Sequence, residues 1–176
     1  FRVSIRMITP IDEITIIIVL YEEKTNLVFQ CLENIKNFKI IIVDNAGNIS
    51  LKNRIEEKFN IYKYILNKKN YGYTKAANQA IKQCDTEYVL NMNADCIISN
   101  KAISILLESH RKYENCFITS PTTYDKDSKL SYNAGCLPEK NNKEQDVLNL
   151  QGDVCVETVL GSIILFKKKD IFELGL

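Results

Sequence analysis

The sequence predicts an α/β fold: a mostly parallel sheet with helices on both faces. Three observations carry this. Apolar, β-branched runs alternate with segments of helical periodicity four times between residues 14 and 113, with short connections. The runs are apolar at successive positions, as strands covered on both faces require. The 176 residues amount to one domain's worth, enough to bury a proper core.

"EITIIIVLY" (13–21) reads as the first strand. "TNLVFQCLENIKNF" follows as a helix, with Thr25 as its N-cap and Leu27, Val28, Cys31, Leu32 and Ile35 at helical spacing. "KIIIVD" (39–44) is the second strand, leading into the turn residues "NAGN". "LKNRIEEKF" is a short helix, "YKYIL" a third strand, "NKKNYGY" a loop and "TKAANQAIKQC" a helix with Ala76, Ala77, Ala80 and Ile81 on one side. "EYVLNMN" is the fourth strand, and "NKAISILLESHRKY" a strongly amphipathic helix.

Beyond residue 113 the texture changes, dividing the chain into an α/β part (1–113) and a more irregular, mixed-strand part (114–176) of the same domain. "NCFITSPTTY", "KLSYNAGCL" and "VCVETVLGSIILFKK" read as shorter strands with hairpin-like links, ahead of a helix starting at "KDIFEL". "PEKNNKEQDVLNLQGD" is polar and reads as a mobile loop.

The net charge of +1 gives no electrostatic reason to expect nucleic acid as a partner, so any charge that binds a ligand must be local. The six cysteines are scattered, without a CxxC or a close pair; they read as reduced thiols in a cytosolic setting, most of them packing as small hydrophobes. His110, beside Arg111 and Lys112, reads as an exposed histidine at a helix end. No apolar run approaches the ~18 residues of a spanning helix. The start at Phe1 and the finish at "FELGL" lead to the expectation of a fragment.

In an open α/β sheet, ligands bind beyond the carboxyl ends of the strands. Those ends carry Tyr21-Glu22-Glu23, Asp44-Asn45, Asn70-Tyr71-Gly72-Tyr73 and Asn93-Ala94-Asp95. Tyr21 beside Asp44 suits a nucleobase, the ring stacking while the acid accepts N–H bonds. Gly72, after Asn70, lets the backbone approach a ligand closely. A carboxylate flanked by an amide, Asp95 with Asn93, suits a hard cation whose other ligands are water and phosphate oxygens, the habit of magnesium and manganese. Each element also has a plainer structural explanation: Tyr21 as an edge aromatic, Asp44-Asn45 as a turn, Asn70 to Tyr73 as a loop before a helix, Asp95 as a distant helix cap. All four would have to hold together.

There is no GxGxxG after the first strand, no Walker A sequence, no GxSxG elbow and no Cys–His pairing suited to nucleophilic catalysis. A nucleotidyltransferase would want a Gly-rich basic loop after the first strand, where "YEEKTN" offers acids.

In order, "EITIIIVLYEE", "KIIIVDNAGN", "NYGYTKAANQAI", "EYVLNMNADCII" and "VETVLGSIILFKKKDIFELGL" resemble the blocks of family 2 glycosyltransferases, with the flavour of the bacterial rhamnosyltransferase-like branch. The resemblance implies the GT-A fold, a nucleotide-diphospho-sugar donor, a Mg or Mn divalent cation at the diphosphate, and transfer with inversion to the hydroxyl of a glycan or glycolipid acceptor. It assigns nucleotide binding to Tyr21, Asp44, Asn70, Gly72, Asn78 and Asn93, and the metal to Asp95. Gly161 would stand in the acceptor-side segment.

The resemblance further implies cell-envelope polysaccharide synthesis in the cytoplasm, at the inner face of the membrane, with peripheral membrane association. This chain departs from the pattern at Asn93, where the motif's first acid often stands, and at Ala77, where a basic residue is frequent. The family's general base is expected beyond Leu176, so no catalytic residue is assigned; Asp153 and Glu157 are the only late acids on offer as substitutes. The alternatives are a catalytically incomplete GT-A domain that only binds, and a nucleotidyltransferase.

Overall fold

The computed structural model describes residues 10–132, 152–156 and 158–176. A six-stranded sheet of order β3-β2-β1-β4-β8-β5 forms its centre. β1 (Ile14–Leu20), β2 (Lys39–Asp44), β3 (Lys63–Leu66) and β4 (Tyr88–Asn93) run parallel. β5 (Ile118–Thr119) joins the sheet through β8 (Ile163–Lys167), which is antiparallel to both β4 and β5. β6 (Thr123–Tyr124) and β7 (Leu130–Tyr132) pair as a separate antiparallel hairpin. The mostly parallel sheet with a small antiparallel addition agrees with the predicted fold class.

The helices are α1 (Pro10–Glu13), α2 (Thr25–Ile35), α3 (Ile49–Lys58), α4 (Tyr73–Gln83), α5 (Asn100–Lys112) and α6 (Lys168–Glu173). Because successive strand residues face opposite ways, β1 and β2 divide their apolar residues between two cores. Ile14, Ile16, Ile18, Leu20, Ile40 and Ile42 pack with residues of α2, α3 and α5. Ile17, Val19, Ile41 and Val43 pack with α4 on the other face. Each fully buried isoleucine contributes about 1.5–3 kcal/mol, so a one-residue slip of β1 would exchange the two faces wholesale. α4 meets the sheet through Ala76, Ala77 and Ala80, small residues that let its backbone lie close.

Two local expectations are corrected. Thr25 is the first residue of α2, not its cap; Lys24 holds the cap position without a side-chain bond. His110 is buried, 3% exposed, rather than solvated. It continues the stripe Ile103, Leu106, Leu107 at helical spacing, and that period outweighs its charged neighbours Arg111 and Lys112. Its ring stands edge-on to Tyr88 with centroids 5.4 Å apart.

Cys31, Cys84, Cys96, Cys116 and Cys155 are free thiols. The polar loop expected over 138–153 falls mostly outside the described residues, as does Glu157. Among the described residues, no helix is long and apolar enough to cross a membrane.

Register decides where the strand ends fall. Leu20 pairs with Asp44, Val19 with Asn93, and Asp44 with Leu66, so β1 to β4 finish at one level. β8 begins at the same edge, where the Asn93 amide donates to the Ser162 carbonyl at 2.9 Å. Any group just past these ends is therefore brought to a common rim.

Candidate functional site

That rim surrounds a cavity of about 360 Å³, within the range of small-molecule sites. Val19, Tyr21 and Glu23 line it from the end of β1 and the residues after it, Asn45 from just past β2, Asn70, Gly72 and Tyr73 from the approach to α4 and its first residue, and Asn93, Ala94 and Asp95 from the end of β4 and the turn that follows. Five residues predicted from sequence thus meet in one place: Tyr21, Asn70, Gly72, Asn93 and Asp95. Asp44 and Asn78 are not among the residues lining the cavity.

Asp44 is 1% exposed, and its carboxylate faces its own turn. Oδ1 accepts the amides of Ala46 at 2.8 Å and Gly47 at 3.0 Å; Oδ2 accepts the amide of Asn48 at 3.2 Å and the Tyr64 hydroxyl at 3.0 Å. Burial first, then the Asp44 charge, pushes the Tyr64 phenol up, so it remains an O–H donor. The next residue, Asn45, is the one at the cavity. The signal for this was the turn string Asp-Asn-Ala-Gly-Asn, in which an Asp satisfies the amides that follow it. Asn78 is half-buried on α4.

On the α4 side, Asn70 Oδ1 accepts the Gly72 amide at 2.8 Å, and Gly72 has φ +82°, a conformation that suits glycine. Tyr73 hydrogen-bonds Asn91 of β4 in both directions, at 3.1 and 2.9 Å, which fixes its ring as a wall. Glu23, Asn45 and Tyr73, which the sequence reading placed at the strand ends without a role of their own, also line the cavity. Tyr21 is 46% exposed, its ring available for stacking; its amide donates to the Glu23 carboxylate. Glu22 between them turns the chain at φ +62°.

Asp95 lies on the turn after β4 and is exposed. It does not cap α5, because Ser99 does so, accepting from the Ala102 amide at 3.2 Å. Among the described residues its carboxylate accepts one weak hydrogen bond, from the Cys96 thiol at 3.7 Å. Among the described residues, the charged ones lining the cavity are Glu23 and Asp95, both acids. The positive end of the α4 dipole lies at Gly72, while Lys69 and Lys75 stand over the outer Tyr71 ring at 5.5 and 4.8 Å.

Such a cavity would repel a bare diphosphate and admit one that arrives with a divalent cation. Asp95, with the Asn93 amide oxygen, fits a hard cation that takes its remaining ligands from water and phosphate. Among the described residues no group of three His, Cys, Asp or Glu side chains stands close enough to hold a metal unaided.

The late residues fall elsewhere. Gly161 is exposed and outside the cavity lining. Asp153 accepts from the Ser109 hydroxyl at 2.9 Å and pairs with Lys112 at 3.4 Å on α5. The Ser109 bond, helped by Lys112, holds its carboxyl below the usual range. It is not at the cavity and does not fit the role of base.

A parallel sheet of this order, with an antiparallel strand beside β4 and a cavity over its carboxyl edge, is the GT-A glycosyltransferase arrangement. The chain belongs to glycosyl transferase family 2, whose model matches residues 15–170. Among solved structures it is similar to a mannosyltransferase from Pyrobaculum calidifontis in complex with GDP-Man and Mn2+, at 18% identity and a TM-score of 0.61, over 93% of this chain and 46% of that one. It is also similar to S. aureus TarS, at 13% identity and a TM-score of 0.59, over 92% and 49%. The chain thus spans about half the length of these structures. A search of the curated proteins finds no match.

Proposed function

We propose that this chain forms the donor-binding part of an inverting glycosyltransferase, which moves a sugar from a nucleotide-diphospho-sugar to an acceptor hydroxyl. The observation that carries the reading is the convergence of four strand ends on one cavity, with the Asp95 carboxylate exposed and, among the described residues, without a strong hydrogen-bond partner. Tyr21 stacks on the base, and Asn45 offers it an amide. Gly72 lets the backbone approach the nucleotide, and Asn93 and Asp95 are the residues that would hold a Mg or Mn ion. Such an ion, when bound, would supply charge compensation for the departing diphosphate. Family membership and the manganese and GDP-mannose held by the Pyrobaculum calidifontis structure support this reading.

In the reaction the acceptor oxygen bonds to the anomeric carbon as the bond to the diphosphate oxygen breaks. The hydroxyl proton passes to a carboxylate acting as general base. The acceptor is a glycan or glycolipid of the cell envelope, reached from the cytoplasm at the inner face of the membrane.

Calorimetry with UDP, dTDP and GDP, with and without manganese, tests the binding step. One of the three binds in the metal's presence, and Asp95→Ala abolishes it. Failure of all three to bind with manganese refutes the reading.

A further inference from the structure

Asn45 reaches the cavity from a position only 2% exposed, so its amide can turn toward a ligand only as its neighbours allow. Those neighbours form a closed chain of amides. Asn45 Nδ2 donates to the Gly72 carbonyl at 3.2 Å, and Asn45 Oδ1 accepts from Asn67 Nδ2 at 2.8 Å. Asn67, 6% exposed at the end of β3, pairs in turn with Gln79 of α4. Asn67 Nδ2 donates to Gln79 Oε1 at 2.9 Å, and Gln79 Nε2 donates back to Asn67 Oδ1 at 3.2 Å.

The polarity of this chain has one solution. A carbonyl can only accept, so Gly72 dictates which end of the Asn45 amide faces it. Oδ1 of Asn45 must then face Asn67, which must present its NH2. The reciprocal pair with Gln79 is satisfied in either sense, so the Gly72 carbonyl sets the direction, while the two bonds to Gln79 hold the Asn67 amide in the place and plane from which it donates to Asn45. What remains on Asn45 is one N–H and one lone pair. An amide free to flip would offer these in either order; this one offers them in a single order.

We propose that Asn67 and Gln79, neither of which lines the cavity, are positioning residues that set the Asn45 amide for recognition of a base edge bearing one donor and one acceptor. The proposal rests on the nucleotide reading above. α4 can deliver Gln79 to this point because its alanine face lies close against β1 and β2.

A double-mutant cycle tests it, with calorimetry on whichever of UDP, dTDP and GDP binds wild type in manganese. Gln79→Met, of similar volume, weakens binding about five- to tenfold, the effect of losing a neutral hydrogen-bonded pair. Asn67→Asp, which removes the donor to Asn45, does likewise. On an Asn45→Ala background, Gln79→Met has no further effect, because the amide it orients is gone. A merely structural role would instead add its loss to that of Asn45→Ala, and additivity overturns the proposal. So does unchanged affinity in Gln79→Met and Asn67→Asp while wild type binds. If wild type binds none of the three, the nucleotide reading falls and takes this one with it. Should Gln79→Met not fold, the Asn67→Asp arm of the same cycle decides.

Discussion

Asp44 and Asn45 are adjacent, yet the structure gives them opposite work, and Asp44→Ala separates the two. The carboxylate accepts three backbone amides and one hydroxyl at 2.8–3.2 Å. Hydrogen bonds to a charged group contribute about 1.5–3 kcal/mol each, but the four do not add. Ala46 and Asn48 are exposed, so their amides can turn to water once released, whereas the Tyr64 hydroxyl is partly enclosed. A net cost of about 3 kcal/mol follows, with the loosened turn absorbing the rest. For a chain of this size that lowers Tm by about 6–12 °C, and it shifts the urea midpoint without changing the slope. Asp44→Asn keeps one acceptor oxygen and falls roughly midway. Asn45→Ala, in contrast, loses nucleotide affinity with a smaller stability change. Thermal melts and calorimetry on the three variants are the assay. If Asp44→Ala melts like wild type but no longer binds nucleotide, the carboxylate faces the ligand and the reasoning is wrong.

Asp95→Asn changes stability by less than about 0.5 kcal/mol, as expected for an exposed side chain without a strong partner, while manganese no longer enhances nucleotide binding; melts and titrations with and without the metal check both halves. Gly47→Ala costs about 2–3 kcal/mol in urea titrations, because Gly47 has φ +67° and a Cβ there would sit 2.8 Å from the Asn67 carbonyl oxygen. The same shift of Asn67 weakens nucleotide binding. His110 responds to acid. Burial, reinforced by Lys167, pulls its pKa below the ordinary 6.5, against the bond to the Phe117 carbonyl and the charge of Asp170. The unfolded chain therefore binds a proton more readily than the folded one. Its contribution is full above pH 6.5 and is lost as pH falls through the lowered value. Urea midpoints between pH 7.5 and 5 should fall more steeply for wild type than for His110→Leu; equal slopes would count against it.

The Cys31, Leu32 and Ile35 face of α2 and the unbroken runs of β1 and β2 were readable residue by residue, because burial on a helix face or in a two-sided strand imposes its own period. Asp44 shows where that reading stops. A terminal acid on a strand looks the same whether it turns outward to a ligand or back to its own amides, and only the path of the following turn distinguishes the two. Nothing in the sequence joins Asn67 to Asn45 or to Gln79, since these partners lie 22 and 12 residues away in the chain.

Local patterning by itself determined the alternation of strands and helices, the parallel sheet and the edge over which the cavity opens. These follow from spacing and side-chain chemistry within a few residues. Only the tertiary structure decided that Asn45 faces the cavity in place of Asp44, that His110 is buried, and that Asp153 lies away from the site. Each depends on a partner brought near by the fold, and a carboxylate or imidazole goes where its hydrogen bonds and its solvation are best satisfied together.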